Sequence, residues 1–165
     1  MEKILISACL LGAKVRYHGG DAASAHPKLR QWLEEGRLVP ICPEVDGGLT
    51  TPRPAAEIVG PGGGGAVVAR AAFVRTTYGV DVSAAFLSGA ALALETARRH
   101  GARLAILKDG SPSCGSSFAY DGTFSGKRVS EAGVTTAVLQ ANGVRVFSES
   151  EIDAAAAYLE DWPQG

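Results

Sequence analysis

Residues 83–107 read SAAFLSGAALALETARRHGARLAIL. Phe86, Leu87, Ala90, Ala91, Leu94 and Ala97 recur at helical spacing, which predicts a helix from an N-cap at Ser83 to His100 with Gly101 as its stop. The basic end, Arg98-Arg99-His100, complements the helix dipole. Leu104-Ala105-Ile106-Leu107 then runs apolar without alternation, the pattern of a strand buried on both faces. A helix feeding such a strand is the building unit of a parallel sheet.

The same grammar extends in both directions. Upstream, Lys3 to Ala8 (KILISA) reads as a buried strand that ends at Cys9. Pro27 opens a helix through Leu33 and Glu34 that Gly36 stops. Leu38-Val39-Pro40-Ile41 reads as a second strand ending at Cys42, short or near an edge because Pro40 cannot donate to a ladder. Downstream, a helix from about Val134 to Asn142 stops at Gly143, and Val144 to Phe147 forms a fourth strand. Ser148-Glu149-Ser150-Glu151 fits a capping box and opens a last helix, about 149–160. Pro61 to Gly65, near a glycine-rich loop at 60–65, reads as a flexible excursion, since no Lys-Ser/Thr pair follows to make a phosphate cradle. Strands alternating with helices predict an α/β fold: a single compact domain over 1–165, Rossmann-like, three-layered, with a largely parallel sheet.

Composition narrows the function. The chain has 165 residues, 46% hydrophobic and 20% charged, with 16 Lys and Arg against 17 Asp and Glu. A net charge of -1 and no basic run argue against a long nucleic acid, whose backbone demands many Lys and Arg contacts. No apolar run reaches membrane-spanning length. Three widely spaced cysteines do not make a disulfide framework, so a reducing, cytoplasmic setting is expected. Ile6-Ser7-Ala8-Cys9 resembles a lipoprotein cleavage site, but the apolar stretch before it is too short for a signal segment.

The cysteines gain meaning from the strands. Cys9 and Cys42 follow the first two directly, and Cys114 lies a few residues beyond Leu107. In an open parallel sheet, sites form outside the carboxyl ends of the strands. Three thiolates gathered there require a metal to offset their charge: zinc with three cysteines and a water, or an iron–sulfur cluster with three protein ligands. No histidine pairs at ligand spacing, which leaves a coordination position open. Glu44, two residues past Cys42, is the acid–base candidate. Ser111 and Ser113 are candidate hydrogen-bonding partners of a substrate or cluster sulfur, and Arg16, Arg53 and Lys108 are candidates for an anionic group.

Five ordered motifs carry a resemblance over residue 4 to about residue 149. They are Ser7-Ala8-Cys9-Leu10-Leu11-Gly12 with Arg16-Tyr17; Cys42-Pro43-Glu44 through Gly47-Gly48-Leu49 and Thr51-Pro52-Arg53; Gly79-Val80-Asp81-Val82; Ser111-Pro112-Ser113-Cys114-Gly115; and Tyr120-Asp121-Gly122-Thr123-Phe124. Together they resemble the thiouracil desulfidase family. The resemblance implies a cytoplasmic bacterial enzyme with a [4Fe-4S] cluster on Cys9, Cys42 and Cys114 and one open iron. It implies loss of sulfur from a thiolated uracil or its nucleotide, released as hydrogen sulfide without redox change. Glu44 and Ser111 become the catalytic pair, with Ser113, Lys108, Arg16, Tyr17 and Arg53 as substrate contacts. His18, Ser83 and Asp109-Gly110 depart from the pattern; His18 and Asp109 bear on substrate choice. Two rivals make other predictions: a metal-cluster protein that binds nucleotides without catalysis, and a thiol redox enzyme that needs only one cysteine.

Overall fold

The computed structural model describes residues 1–162. Its centre is a parallel sheet of β1 (Ile4–Ser7), β2 (Leu38–Ile41), β5 (Leu104–Leu107) and β8 (Arg145–Ser148), in the order β2-β1-β5-β8. All residues of β1 and β5 are buried, as their unbroken apolar runs require. β2 is an edge strand, which accommodates Pro40.

Alternate side chains divide the core between two faces. Ile4, Ile6, Leu104 and Ile106 pack under α1 (Pro27–Glu34) and α6 (Ile152–Glu160), with Trp32 and Leu29 from the first and Ala155 and Leu159 from the second. Leu5, Ala105 and Leu107 pack under α4 (Ser83–His100) and α5 (Val134–Ala141), against Ala93, Ala97 and Leu139. The result is the expected three-layer sandwich. Among the described residues no helix is long and apolar enough to cross a membrane.

The segment between β2 and α4 departs from expectation. It holds a one-turn helix α2 (Pro43–Asp46) and an antiparallel pair, β3 (Ala56–Val59) with β4 (Phe73–Thr76), joined through helix α3 (Gly63–Val68). The glycine-rich run is therefore not a flexible excursion. Gly63 and Gly64 are buried where α3 meets the start of α5, and a Cβ on Gly64 would fall 2.1 Å from the carbonyl oxygen of Gly133. These glycines permit backbone-to-backbone packing. A second small pair, β6 (Ala119–Tyr120) with β7 (Arg128–Val129), lies beside β3.

Two predicted caps also differ. Ser83 is the first helical residue of α4 rather than its N-cap; its N–H donates to the Asp81 carboxylate (2.8 Å) and its hydroxyl accepts the Val74 N–H (2.9 Å), tying the helix to β4. Glu151 does reach back to the Ser148 N–H (2.9 Å), but the Ser148 hydroxyl accepts from Ser150, so this box closes a turn and α6 begins at Ile152.

The contact that positions the site is α2 on α4. A Cβ on Gly89 would lie 1.9 Å from the Pro43 carbonyl oxygen, and one on Gly47 would lie 2.0 Å from that of Ala85. Gly89→Ala should therefore push α2 off α4 and lower the unfolding free energy by roughly 1–3 kcal/mol, the range of overpacking. Gly65, exposed in α3 with nothing within 4 Å of its Cβ position, is the control. Gly65→Ala should stabilise by up to about 1 kcal/mol through helix propensity. Urea midpoints of the two variants check both signs.

Candidate active site

β1, β2 and β5 end at one level because Ser7 is opposite Ile41 and Ile6 is opposite Ile106 in the ladder. The strand order reverses between β1 and β5, where α/β sheets place ligands. Three different local structures then deliver the three thiols. Cys9 sits in a short 3₁₀ helix, Ala8–Leu11, that Gly12 ends at φ 95°. Cys42 is the N-cap of α2, its N–H donating to the Asp46 carboxylate (3.2 Å), with Pro43 in the first turn. Cys114 sits in the loop after β5, where the Cys114 and Ser113 N–H groups donate to the Ser111 hydroxyl (3.2 and 3.1 Å).

All three cysteines are free and line one cavity of about 510 Å³. Burial pushes the Cys9 thiol up to about 11, against the lowering charge of Arg16, and the Cys114 thiol up to about 12. Cys42 is raised as well, again chiefly by burial. At neutral pH these groups are thiols until a cation takes the place of their protons. No histidine lines the cavity, and among the described residues no three His, Cys, Asp or Glu side chains form a ready-made site for a single metal ion.

Glu44 and Ser111, far apart in sequence, meet here: the Ser111 hydroxyl donates to Glu44 Oε2 (3.3 Å). On the other side, Arg53 Nε donates to Glu44 Oε1 (3.2 Å), and this ion pair is nearly buried. The Arg53 guanidinium also donates to Thr50 O, Thr51 Oγ1 and Val15 O. Four of its five donors are thus engaged, so Arg53 acts on the cavity through Glu44.

The remaining sequence candidates divide. Arg16 and Tyr17 line the cavity, and the Arg16 guanidinium has no hydrogen-bond partner among the described residues. Lys108 lines it too, with its ammonium donating to Glu149 (3.0 Å) and to the Asp109 carbonyl (2.9 Å). Ser113 does not: its side chain is fully buried and bonds Thr135 Oγ1 (2.8 Å), so it anchors the cysteine loop to α5 rather than meeting a substrate.

Asp109 is revealed as the organiser of that loop. Its Oδ1 accepts N–H groups from Gly110, Ser116, Ser117 and Phe118. Burial alone would raise its pKa, but hydrogen bonds from Ser117, Ser116 and Gly110 outweigh it and hold the carboxyl below the usual range. Sequence reasoning passed over Ser7, whose hydroxyl accepts the Lys108 N–H (3.0 Å) at the end of β1. A lone hydroxyl closing a buried apolar strand was the available signal. It also passed over Glu57, which lines the cavity from β3, an element short and glycine-flanked enough to escape notice.

Comparison with known proteins adds three findings. Residues 4–151 match the family model described as 2-thiouracil desulfurase. An uncharacterized protein, YbbK, of Bacillus subtilis (strain 168) is 47% identical over 150 residues, covering 91% of this chain and 97% of its own. The solved structure of a [4Fe-4S]-dependent thiouracil desulfidase, TudS, is 44% identical, superposes with a TM-score of 0.89, and covers 97% of this chain and 99% of that one.

The Asp109 cradle has a pH signature. A carboxyl whose folded pKa is depressed stabilises the fold above its unfolded pKa, near about 3.9, and the contribution is lost as pH falls through the lower folded value. Asp109→Asn should cost roughly 1–3 kcal/mol at neutral pH, as N–H groups lose a charged acceptor. The gap between variant and wild type should close in strong acid. Urea unfolding at a series of pH values measures it, and a gap that is constant with pH would remove the ionised carboxyl from the account.

Proposed function

The chain belongs to the 2-thiouracil desulfurase family, and on that premise we propose that it removes sulfur from a thiolated uracil or its nucleotide. The observation that carries the reading is the convergence on one cavity of three free thiols with the hydrogen-bonded pair Glu44 and Ser111. The net reaction takes up one water and releases hydrogen sulfide, leaving carbonyl in place of thiocarbonyl with no change in oxidation state.

The donor set suits a cluster with three protein thiolates. Cys9, Cys42 and Cys114 would hold it, with no imidazole and no fourth thiol on the cavity wall to complete a shell. Bound there, a [4Fe-4S] cluster would supply Lewis acidity toward the thiocarbonyl sulfur. Three free thiols accord with a reducing, cytoplasmic setting.

The chain's own groups do the rest. Glu44 takes a proton from the water that attacks the thiocarbonyl carbon, and returns it as the carbon–sulfur bond breaks and sulfide leaves. Arg53 holds the Glu44 carboxylate in place on the cavity wall. Ser111 is a positioning residue: with one hydroxyl it donates to Glu44 and accepts from the Cys114 N–H, fixing the carboxylate relative to the thiol loop.

The test is an anaerobic assay of sulfide release from 2-thiouracil, 4-thiouracil and 4-thiouridine monophosphate after cluster reconstitution. Wild type should release sulfide from at least one. Glu44→Gln should retain the cluster's absorbance and lose roughly 10²–10⁴-fold in kcat, the scale of general acid–base catalysis. Full activity in that variant excludes Glu44 as the base. Iron-loaded wild type that binds these compounds and releases no sulfide is a binding protein, and turnover that survives chelation is thiol chemistry.

A further inference from the structure

One motif has no part in the chemistry above. Tyr120 to Phe124 leads from β6 into the loop that returns to β7, closed by the Asp121 N–H donating to the Lys127 carbonyl (2.9 Å). Within it Phe124 adopts φ 55°, a left-handed conformation natural to glycine and costly for a bulky side chain. Such strain persists only where surrounding structure enforces it, and it concentrates at functional sites.

The enforcement comes from Glu57. Its Oε1 accepts the N–H groups of both Gly122 (3.0 Å) and Phe124 (3.2 Å). Gly122 lies flat on β3, where a Cβ would come within 2.6 Å of the Ile58 carbonyl oxygen. The loop is thus strapped to the strand that forms one cavity wall, and Phe124 lines the cavity with 37% of its surface exposed.

Its neighbours have partners. Phe118 packs edge-on against Tyr120 and carries the Arg128 guanidinium 4.1 Å from its ring centre. Tyr17, also on the cavity, packs edge-on against His18 at 4.9 Å. The Phe124 ring has no aromatic or cationic partner among the described residues. A rigidly held, half-open aromatic face on a cavity wall fits a planar heteroaromatic ring, which stacks on it whatever its substituents.

We propose that Phe124 is the stacking platform for the substrate's pyrimidine ring, held in its strained backbone conformation by Glu57. The proposal rests on the reading that the ligand is a thiolated pyrimidine. Stacking fixes the plane of the ring, and so the plane in which its thiocarbonyl points, while leaving the chemistry to other groups.

The backbone strain makes the test clean, because Phe124→Gly removes the ring and relieves the strain together. In the reconstituted enzyme this variant should keep the wild-type cluster absorbance and a melting temperature no lower than wild type. Its KM for the best thiolated substrate, and its Kd for uracil by calorimetry, should both rise roughly tenfold, within the range that loss of one base–aromatic stack produces. kcat should change by less than about threefold, as expected when uniform binding is removed. Phe124→Tyr should restore both constants. Unchanged KM and Kd in Phe124→Gly overturn the proposal while leaving desulfuration intact, as does a fall in kcat alone. Wild type that binds uracil through Phe124 but releases no sulfide overturns the proposed function and supports the platform; wild type that binds no pyrimidine overturns both.

Discussion

The structure depends on the level register of three parallel strands. Ser7 opposite Ile41, and Ile6 opposite Ile106, put the carboxyl ends of β1, β2 and β5 at one edge of the sheet. The side-chain period of a strand is two, so a slip of one residue would turn Ile4 and Ile6 to the other face and break the core on both sides. Burial of both faces therefore enforces the register that gathers the cysteines. The Ser7 hydroxyl, accepting the Lys108 N–H, ties the end of β1 to the start of the Cys114 loop.

On that platform the cavity is assembled from polar groups that restrain one another. A nearly buried Arg53–Glu44 pair is weak support for stability, since desolvation offsets most of its attraction, but removing either partner strands a charge. Its value is positional. The Arg53 guanidinium also donates to the Val15 carbonyl, and its backbone N–H to that of Tyr17, so the same residue that orients Glu44 fixes the segment carrying Arg16 and Tyr17. Asp109 does the corresponding work for the cysteine loop, and Glu57 for the loop of Phe124. Three carboxylates set three walls of one site: Glu44 and Glu57 are held by donors distant in the chain, and Asp109 by the N–H groups of its own loop.

Much of this was legible before the structure. The central strands and the helices at Pro27–Glu34, Ser83–His100 and Val134–Ala141 followed from apolar period and punctuation, because strong local patterns agree with the global fold there. Strand ends pointed to the cysteines, and the motifs named Glu44 and Ser111. The helix α3 and the β3–β4 pair were not legible, because Gly63 and Gly64 serve close packing against Ala132 and Gly133 and look like a flexible run in sequence. Nor was the burial of Ser113, set by Thr135 on α5, or the engagement of Arg53, whose donors are divided among Glu44, its own turn and the distant Val15 carbonyl. A motif shows which residues belong together; only the fold shows which of them touch.

The central claim is that Cys9, Cys42 and Cys114 act as one ligand set. Its most direct test is the iron and acid-labile sulfide content of each single Cys→Ser variant after anaerobic reconstitution, beside wild type. Wild type should take up a full [4Fe-4S] complement, and each of the three substitutions alone should abolish or sharply reduce it while far-ultraviolet circular dichroism shows the fold unchanged. Any one folded variant that binds iron and sulfide as fully as wild type would contradict the claim.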